Sequence, residues 1–342
     1  MTAGEARMNA GTAHGFVGES PVMLELYDRI GRMAASKAPV FVTGESGTGK
    51  ELCARAIHGG SMRRNGPFIA INCGAIPRDL MESEMFGHVK GSFTGAVANR
   101  SGAAKLADGG TLFLDEICEL DPLLQTKLLR FLETSTIQRV GSAVAEPVDV
   151  RIVCATNRDP ATEVAAGRFR QDLFFRLMVL PLHMPKLSDR GGDVILIARH
   201  LLARIATEEG RRFSSFAPEA EALMLAHAWP GNVRELQNVI RQAVVLNEGD
   251  RIEAPMLPLQ PASAPLPEPV IRDPAAALRD VHAAMAGERL PGNRQMSAIE
   301  RDVIEGTIAV CGGSVPKAAR VLGLSPSTIY RKRESWGSDS RH

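Results

Sequence analysis

The sequence predicts an α/β domain built on a mostly parallel sheet with helices on both faces, carrying a helical subdomain and followed by a small all-α domain. Short apolar runs recur, each leading into polar or helical sequence, which is the alternation a parallel sheet with crossover helices requires. The runs are Val40-Phe41-Val42 and residues 68–72, 111–115 and 150–156. From 193 to 246 the pattern turns helical throughout, in segments 195–206, 218–226 and 232–247. The stretch PMLPLQPASAPLPEPVIRDP, residues 255–274, then places seven prolines in succession. That density excludes helix and reads as an extended linker. These divisions give a leader over 1–15, an α/β subdomain over 16–190, a helical lid subdomain over 191–250, the linker over 251–274, and a C-terminal domain over 275–342 with its core at 297–334.

Composition narrows the classes. A chain of 342 residues exceeds one ordinary domain. A formal charge of +1 with 23% charged residues excludes a uniformly basic DNA-coating protein, so charge is informative only locally. Cys53, Cys73, Cys118, Cys154 and Cys311 are odd in number and widely spaced, which argues against a disulfide framework or a zinc ribbon and suits a reducing cytoplasm. The opening residues MTAGEARMNAGTAHG hold no apolar run of a signal peptide and read as a disordered leader. No run reaches the roughly 18 apolar residues of a membrane span. The expectation is a cytoplasmic protein without a membrane partner.

Gly44-Glu45-Ser46-Gly47-Thr48-Gly49-Lys50-Glu51 has the glycines and lysine of a phosphate-binding loop between a strand and a helix. Its glycines let backbone N–H groups close on phosphate oxygens, the helix directs its positive end at them, and Lys50 neutralises β/γ charge. Glu51 replaces the Ser or Thr that the general pattern offers to magnesium. About sixty residues on, the apolar run 111–115 ends in Asp115 and Glu116. There the first carboxylate helps hold Mg²⁺ and the second polarises the attacking water, so ATP hydrolysis is expected.

With both motifs placed, residues 16–247 resemble the AAA+ domain of bacterial enhancer-binding proteins, the activators of sigma-54 RNA polymerase. GESGTGKE at 44–51 is similar to this family's own form of the loop, which accounts for Glu51. FGHVKGSFTGA at 86–96 resembles the element that contacts sigma-54, assigned here to Gly91, Ser92, Phe93, Thr94, Gly95 and Ala96, with Ser92 where the family has Ala. CATNRD at 154–159 resembles sensor I, and GRFRQDLFFRL at 167–177 the arginine-finger segment. The resemblance implies an AAA+ P-loop NTPase with a helical lid. It implies that Arg170 and Arg176 reach the γ-phosphate of a neighbouring subunit in a six-membered ring. By the same likeness Asn157 is the sensor I residue and Asn72 holds Glu116 out of position. WPGNVREL at 229–236 resembles sensor II, with Arg234 approaching the nucleotide and Asn232 capping its helix. The wording GHVKGSFTGA, LFLDEICELD and SPSTIYRK is most similar to the quorum-sensing regulators of this family. With about fifteen residues before Phe16, no receiver domain of the usual 50 or more residues fits, so hydrolysis is expected without phosphorylation.

Residues 315–333 read as helix, glycine turn and helix, with Ser325 as N-cap and Pro326 at the first helical position. Ala319, Leu322, Leu324 and Ile329 supply the apolar contacts of a helix-turn-helix, leaving Ser327, Thr328, Arg331 and Lys332 to meet a DNA groove. Eight Lys/Arg against five acids between 294 and 342 concentrate positive charge there. The module resembles the Fis-type domain, which implies dimers formed through 297–310 on double-stranded DNA upstream of a promoter. The alternative is a DNA-bound repressor whose AAA+ domain only oligomerises. Degraded residues would mark it, and Lys50, Asp115, Glu116, Phe93 and Thr94 are all present.

Overall fold

The computed structural model describes residues 15–93 and 95–259, together with 304, 305, 307, 308, 314–322 and 328–332. The chain divides into two units, 1–264 and 265–342. In the first, α1 (Pro21–Ala34) precedes β1 (Val40–Thr43), which runs through the glycine-rich loop into α2 (Lys50–Gly59). Next come β2 (Phe68–Asn72), α3 (Arg78–Phe86), a short antiparallel ladder of β3 (Gly87–His88) with β4 (Arg100–Ser101), α4 (Ala103–Leu106) and β5 (Thr111–Asp115). The chain continues through α5 (Pro122–Thr134), a hairpin of β6 (Thr136–Gln138) and β7 (Ala145–Pro147), β8 (Arg151–Thr156), α6 (Pro160–Ala165), α7 (Gln171–Leu177) and β9 (Leu180–His183).

Five of these strands form one parallel sheet in the order β2-β5-β8-β1-β9. The interiors of its middle strands, residues 40–42, 112–114 and 152–155, are apolar because both faces are covered. Side-chain alternation sorts them into two layers. Phe41, Leu112, Leu114, Ile152 and Cys154 join the core beneath α3, α5 and α7. Val40, Val42, Phe113, Val153 and Ala155 join that of α1 and α2, with Met23, Ile30, Cys53 and Ile57. Helix starts follow local chemistry: Asp121 accepts from the N–H groups of Leu123 and Leu124 at 2.9 and 3.1 Å, with Pro122 at the first helical position.

The strand β9 was not among the expected ones. Pro181 interrupts its apolar run, and proline removes a ladder donor, which argues against a central strand. At the sheet edge, pairing only with β1, it is tolerated. The expected strand 150–156 begins at Arg151, and the expected helix 195–206 extends over Asp193–Glu208.

After a 3₁₀ turn at Leu187–Arg190, the lid subdomain comprises α8 (Asp193–Glu208), β10 (Ser215–Phe216), α9 (Pro218–Ala226), α10 (Asn232–Leu246) and β11 (Arg251–Ile252). Leu202, Ile205, Met224, Trp229, Leu236 and Ile240 are among its core residues. The subdomain reaches past the expected boundary at 250. The β10 strand pairs with β11, and Ile252 and Leu257 are buried in the same core, so 251–257 belongs to the lid and not to the linker.

In the second unit α11 (Val315–Val321) packs Val315, Ala318 and Ala319 with Ile304, Ile308 and Ile329, and residues 328–332 are helical. Residues 1–14, linker residues 260–274, Thr94, Ser325 and Ser327 lie outside the described residues. Among those described, no helix is long and apolar enough to cross a membrane.

Because Leu114 is fully buried at the sheet centre whereas Leu123 is 64% exposed, the two leucines should respond differently to truncation. Leu114→Ala is expected to cost about 2–5 kcal/mol and Leu123→Ala about 0.5 kcal/mol or less. Urea denaturation of the intact chain measures both.

Candidate nucleotide-hydrolysis site

The carboxyl ends of parallel strands form the crevice in which open α/β sheets bind ligands, and here the predicted residues gather. The loop after β1 turns into α2 at Gly49, in the left-handed region (φ 101°, ψ 29°). The first N–H groups of α2 lack intrahelical partners and carry the helix's positive end. Lys50 is 7% exposed, and its Nζ donates to the carbonyls of Gly44 and Glu45 at 3.0 and 3.3 Å. A cavity of about 430 Å³ opens above, lined by Phe16 and Val17, the loop, Asp115 and Glu116, and by α8 and α10 of the lid.

Asp115 ends β5, and Glu116 follows in the left-handed region (φ 52°, ψ 49°). That conformation costs a non-glycine residue on the order of 1–3 kcal/mol and persists only where its surroundings impose it. Burial, and after it the adjacent Glu116 carboxylate, push the Asp115 carboxyl above its usual range, against the pull of Lys50. Glu116 Oε2 accepts from the backbone N–H of Asn157 at 3.0 Å, and Oε1 lies 3.6 Å from Lys50 Nζ. The ends of β1, β5 and β8 thus meet on one carboxylate.

Asn72 does not hold Glu116 in this structure. Its Oδ1 accepts from the N–H groups of Gly74 and Ala75 at 2.9 and 3.0 Å, and its Nδ2 reaches Asp115 Oδ2 at 3.4 Å. The register explains this: Asn72 pairs directly with Asp115, and directly opposed residues on neighbouring strands share a face. Glu51, in the position of the general pattern's hydroxyl, receives Arg55 Nε and Nη2 at 3.0 and 2.7 Å, one helical turn on.

The lid grips the loop from the other side. Gly47 O accepts from Val233 N–H at 3.0 Å, and Arg234 Nη1 donates to Ser46 Oγ at 2.9 Å. Gly47 (φ +79°) admits this approach, since a Cβ there would fall 2.3 Å from the Gly231 carbonyl. Asn232 does not cap its helix. It has φ 51°, its Oδ1 accepts from Leu187 N–H at 2.8 Å, and its Nδ2 donates to Glu45 Oε2 and Ser46 O at 3.2 and 3.1 Å. With the amide so engaged, Glu235 Oε2 reaches back to the Gly231 N–H at 2.7 Å instead. Hydrogen bonds from Lys186 and then Asn232 hold the Glu45 carboxyl below its usual range.

Sequence reasoning missed Arg190 and Gln125. Arg190 is 2% exposed and donates through Nη2 to Thr48 O and Pro185 O at 2.7 and 2.9 Å, tying the glycine-rich loop to the turn that begins the lid. Gln125 Nε2 donates to Leu120 O and Arg168 O, each at 2.8 Å, while its Oε1 accepts from Arg170 N–H at 2.8 Å. Neither residue belongs to a motif, and only burial distinguishes them from surface polar residues.

Arg170 and Arg176 do not line their own cavity. Arg170 pairs with Asp172 at 3.0 and 2.7 Å and donates to Thr126 Oγ1 at 3.2 Å; Arg176 donates to Leu132 O at 3.2 Å. The 91–96 loop grows from the β3–β4 ladder, with Gly91 N–H on Ala96 O at 2.8 Å, Ala96 buried and Gly95 exposed. Phe93 lies edge-on to His88 with ring centroids 5.1 Å apart. In the second unit Arg331 is exposed on the helical residues that bury Ile329, and Thr328 and Lys332 share that segment.

Three family descriptions match in succession: "Sigma-54 interaction domain" over 16–183, "AAA+ ATPase lid domain" over 188–269, and "Bacterial regulatory protein, Fis family" over 295–336. The chain is 54% identical over 324 residues to the luminescence regulatory protein LuxO of Vibrio campbellii, covering 95% of this chain and 70% of that one. It is 43% identical over 318 residues to the transcriptional regulatory protein ZraR of Escherichia coli, covering 93% and 68%. The crystal structure of NtrX from Brucella abortus in complex with ATP is similar at 32% identity with a TM-score of 0.64, covering 98% of this chain and 72% of that one. Sheet, lid, nucleotide crevice and terminal helices therefore have one explanation: the chain belongs to the sigma-54-dependent AAA+ ATPase family of transcriptional regulators with a Fis-type helix-turn-helix.

Proposed function

We propose that this protein activates transcription by sigma-54 RNA polymerase, binding upstream DNA through its C-terminal module and coupling ATP hydrolysis to remodelling of the closed promoter complex through the 91–96 loop. The observation that carries this is the convergence of Lys50, Asp115 and Glu116 within the fold that also presents that loop on its own ladder.

In the hydrolysis step, Glu116 takes a proton from water as the water oxygen bonds to the γ-phosphorus. The bridging β–γ oxygen leaves with its bonding electrons. Lys50 and the N–H groups of 44–51 offset the charge that spreads over the phosphoryl oxygens. The donor set suits Mg²⁺: Asp115, held at the end of β5 beside Glu116, would hold the ion, which would supply positive charge to offset that of the phosphate. Asn157 holds Glu116 aside through its backbone N–H, Asn72 steadies Asp115, and Arg234 reports phosphate loss to the lid. Arg170 and Arg176, absent from their own cavity, serve a neighbour's site in a ring of six, and the tails pair into dimers. Arg331, Lys332, Thr328, Ser325 and Ser327 meet the DNA, and the protein is cytoplasmic.

Promoter opening in vitro with sigma-54 polymerase tests the activator reading. Wild type is expected to open the promoter, and Phe93→Ala to hydrolyse ATP without opening it; ATP turnover by wild type with no opening would sink the idea. Glu116→Gln should retain ATP binding yet lose roughly 10²–10⁴-fold in turnover, read from kcat beside nucleotide affinity. A mixture of Glu116→Gln and Arg170→Ala subunits should regain ATPase activity that neither has alone, because mixed interfaces pair an intact Glu116 with an intact Arg170. No recovery on mixing would count against shared sites.

A further inference from the structure

Ser92 stands where the family has alanine, and its hydroxyl is enclosed with no hydrogen-bond partner. The backbone bonds of the loop, Gly91 N–H to Ala96 O at 2.8 Å and Ala96 N–H to Phe93 O at 3.0 Å, pass it by. What covers it is the turn of the β6–β7 hairpin. Gly141, in the left-handed region (φ +80°), lies so close that a Cβ there would fall 2.6 Å from Ser92 Cβ and 3.0 Å from Val89 Cγ2. Backbone bonds join the two elements at their base, with Val89 N–H on Val140 O at 3.1 Å and Val140 N–H on Gly87 O at 2.9 Å. Beside Ser92, Phe93 rests against His88, whose Nδ1 is 2.7 Å from Ser83 Oγ. Ser92 is therefore held against the hairpin turn, while Phe93, 39% exposed, rests one edge on His88.

A hydroxyl in water keeps its hydrogen bonds, and one buried without a partner forfeits them. Ser92 therefore destabilises the docked position and not the released one. Alanine, of nearly the same shape, would carry no such penalty. Phe93 and Gly141 favour docking by apolar contact and close fit, while the hydroxyl opposes it.

We propose that Ser92 is a release element: its unpaired hydroxyl weakens docking on the β6–β7 hairpin and raises the fraction of molecules whose Phe93 is free to meet a protein partner. The identity of that partner rests on the sigma-54 reading above; the docking equilibrium does not.

Amide hydrogen exchange across residues 89–96 of the full chain, in wild type, Ser92→Ala and Gly141→Ala, separates the two. Ser92→Ala is expected to slow exchange roughly tenfold and to weaken binding to purified sigma-54, with ADP and aluminium fluoride present, by a similar factor. Gly141→Ala, whose methyl would strike Ser92, is expected to speed exchange. Unchanged or faster exchange in Ser92→Ala overturns the proposal, as does unchanged or slower exchange in Gly141→Ala. If wild type fails to bind sigma-54, the functional reading falls, and the exchange measurements alone decide the role of Ser92.

Discussion

The grip of α10 on the phosphate loop is the contact on which the site depends. Gly47 O on Val233 N–H, Ser46 Oγ on Arg234, and Ser46 O and Glu45 on Asn232 join two subdomains with separate hydrophobic cores. Without it the cavity would lose a wall and the loop a support. The bonds, 2.9–3.2 Å long, are concentrated within one helical turn. A small shift of the loop is therefore felt directly by α10, whose buried face carries it into the lid core through Leu236 and Ile240. Close packing transmits such shifts because interiors have little room to absorb them.

A second constraint is strand register. Pairing Asn72 with Asp115, and Leu114 with Cys154, ends three strands at one level, so residues distant in sequence face one crevice. The geometry also strains Glu116, whose φ of 52° leaves its carboxylate near Lys50 and the Asn157 N–H. Conformational cost at such a position is stable only because the surroundings fix it.

What the sequence made legible follows from the range of the forces involved. Strands buried on both faces are written as continuous apolar runs, and the glycine-rich loop as spacing; both are local signals. The edge strand β9 was obscured because Pro181 is acceptable only where one neighbour is missing, a fact of sheet order and not of composition. Asn232 has the residue type of a cap, yet its amide is drawn to partners about 185 positions away. Arg190 and Gln125 donate through Nη2 and Nε2 to backbone carbonyls of distant segments, Thr48 and Arg168, and nothing adjacent to them in sequence marks that. Phosphate-binding chemistry was visible in type and spacing, whereas which group bonds Glu116 depended on register.

One helix connects features that sequence motifs treat separately. Near its start, α5 holds Arg170 through Gln125 and Thr126, and near its end the Leu132 carbonyl holds Arg176. Its last turn passes through Ser135 straight into β6, the hairpin on which Ser92 rests. Thirteen residues of α-helix form a strut about 20 Å long. The 91–96 loop is thereby anchored to the same stiff member as two arginines that do not line the cavity of their own chain. In the proposed ring, that shared strut would couple the loop of one subunit to the phosphate bound next door, through the arginines it holds.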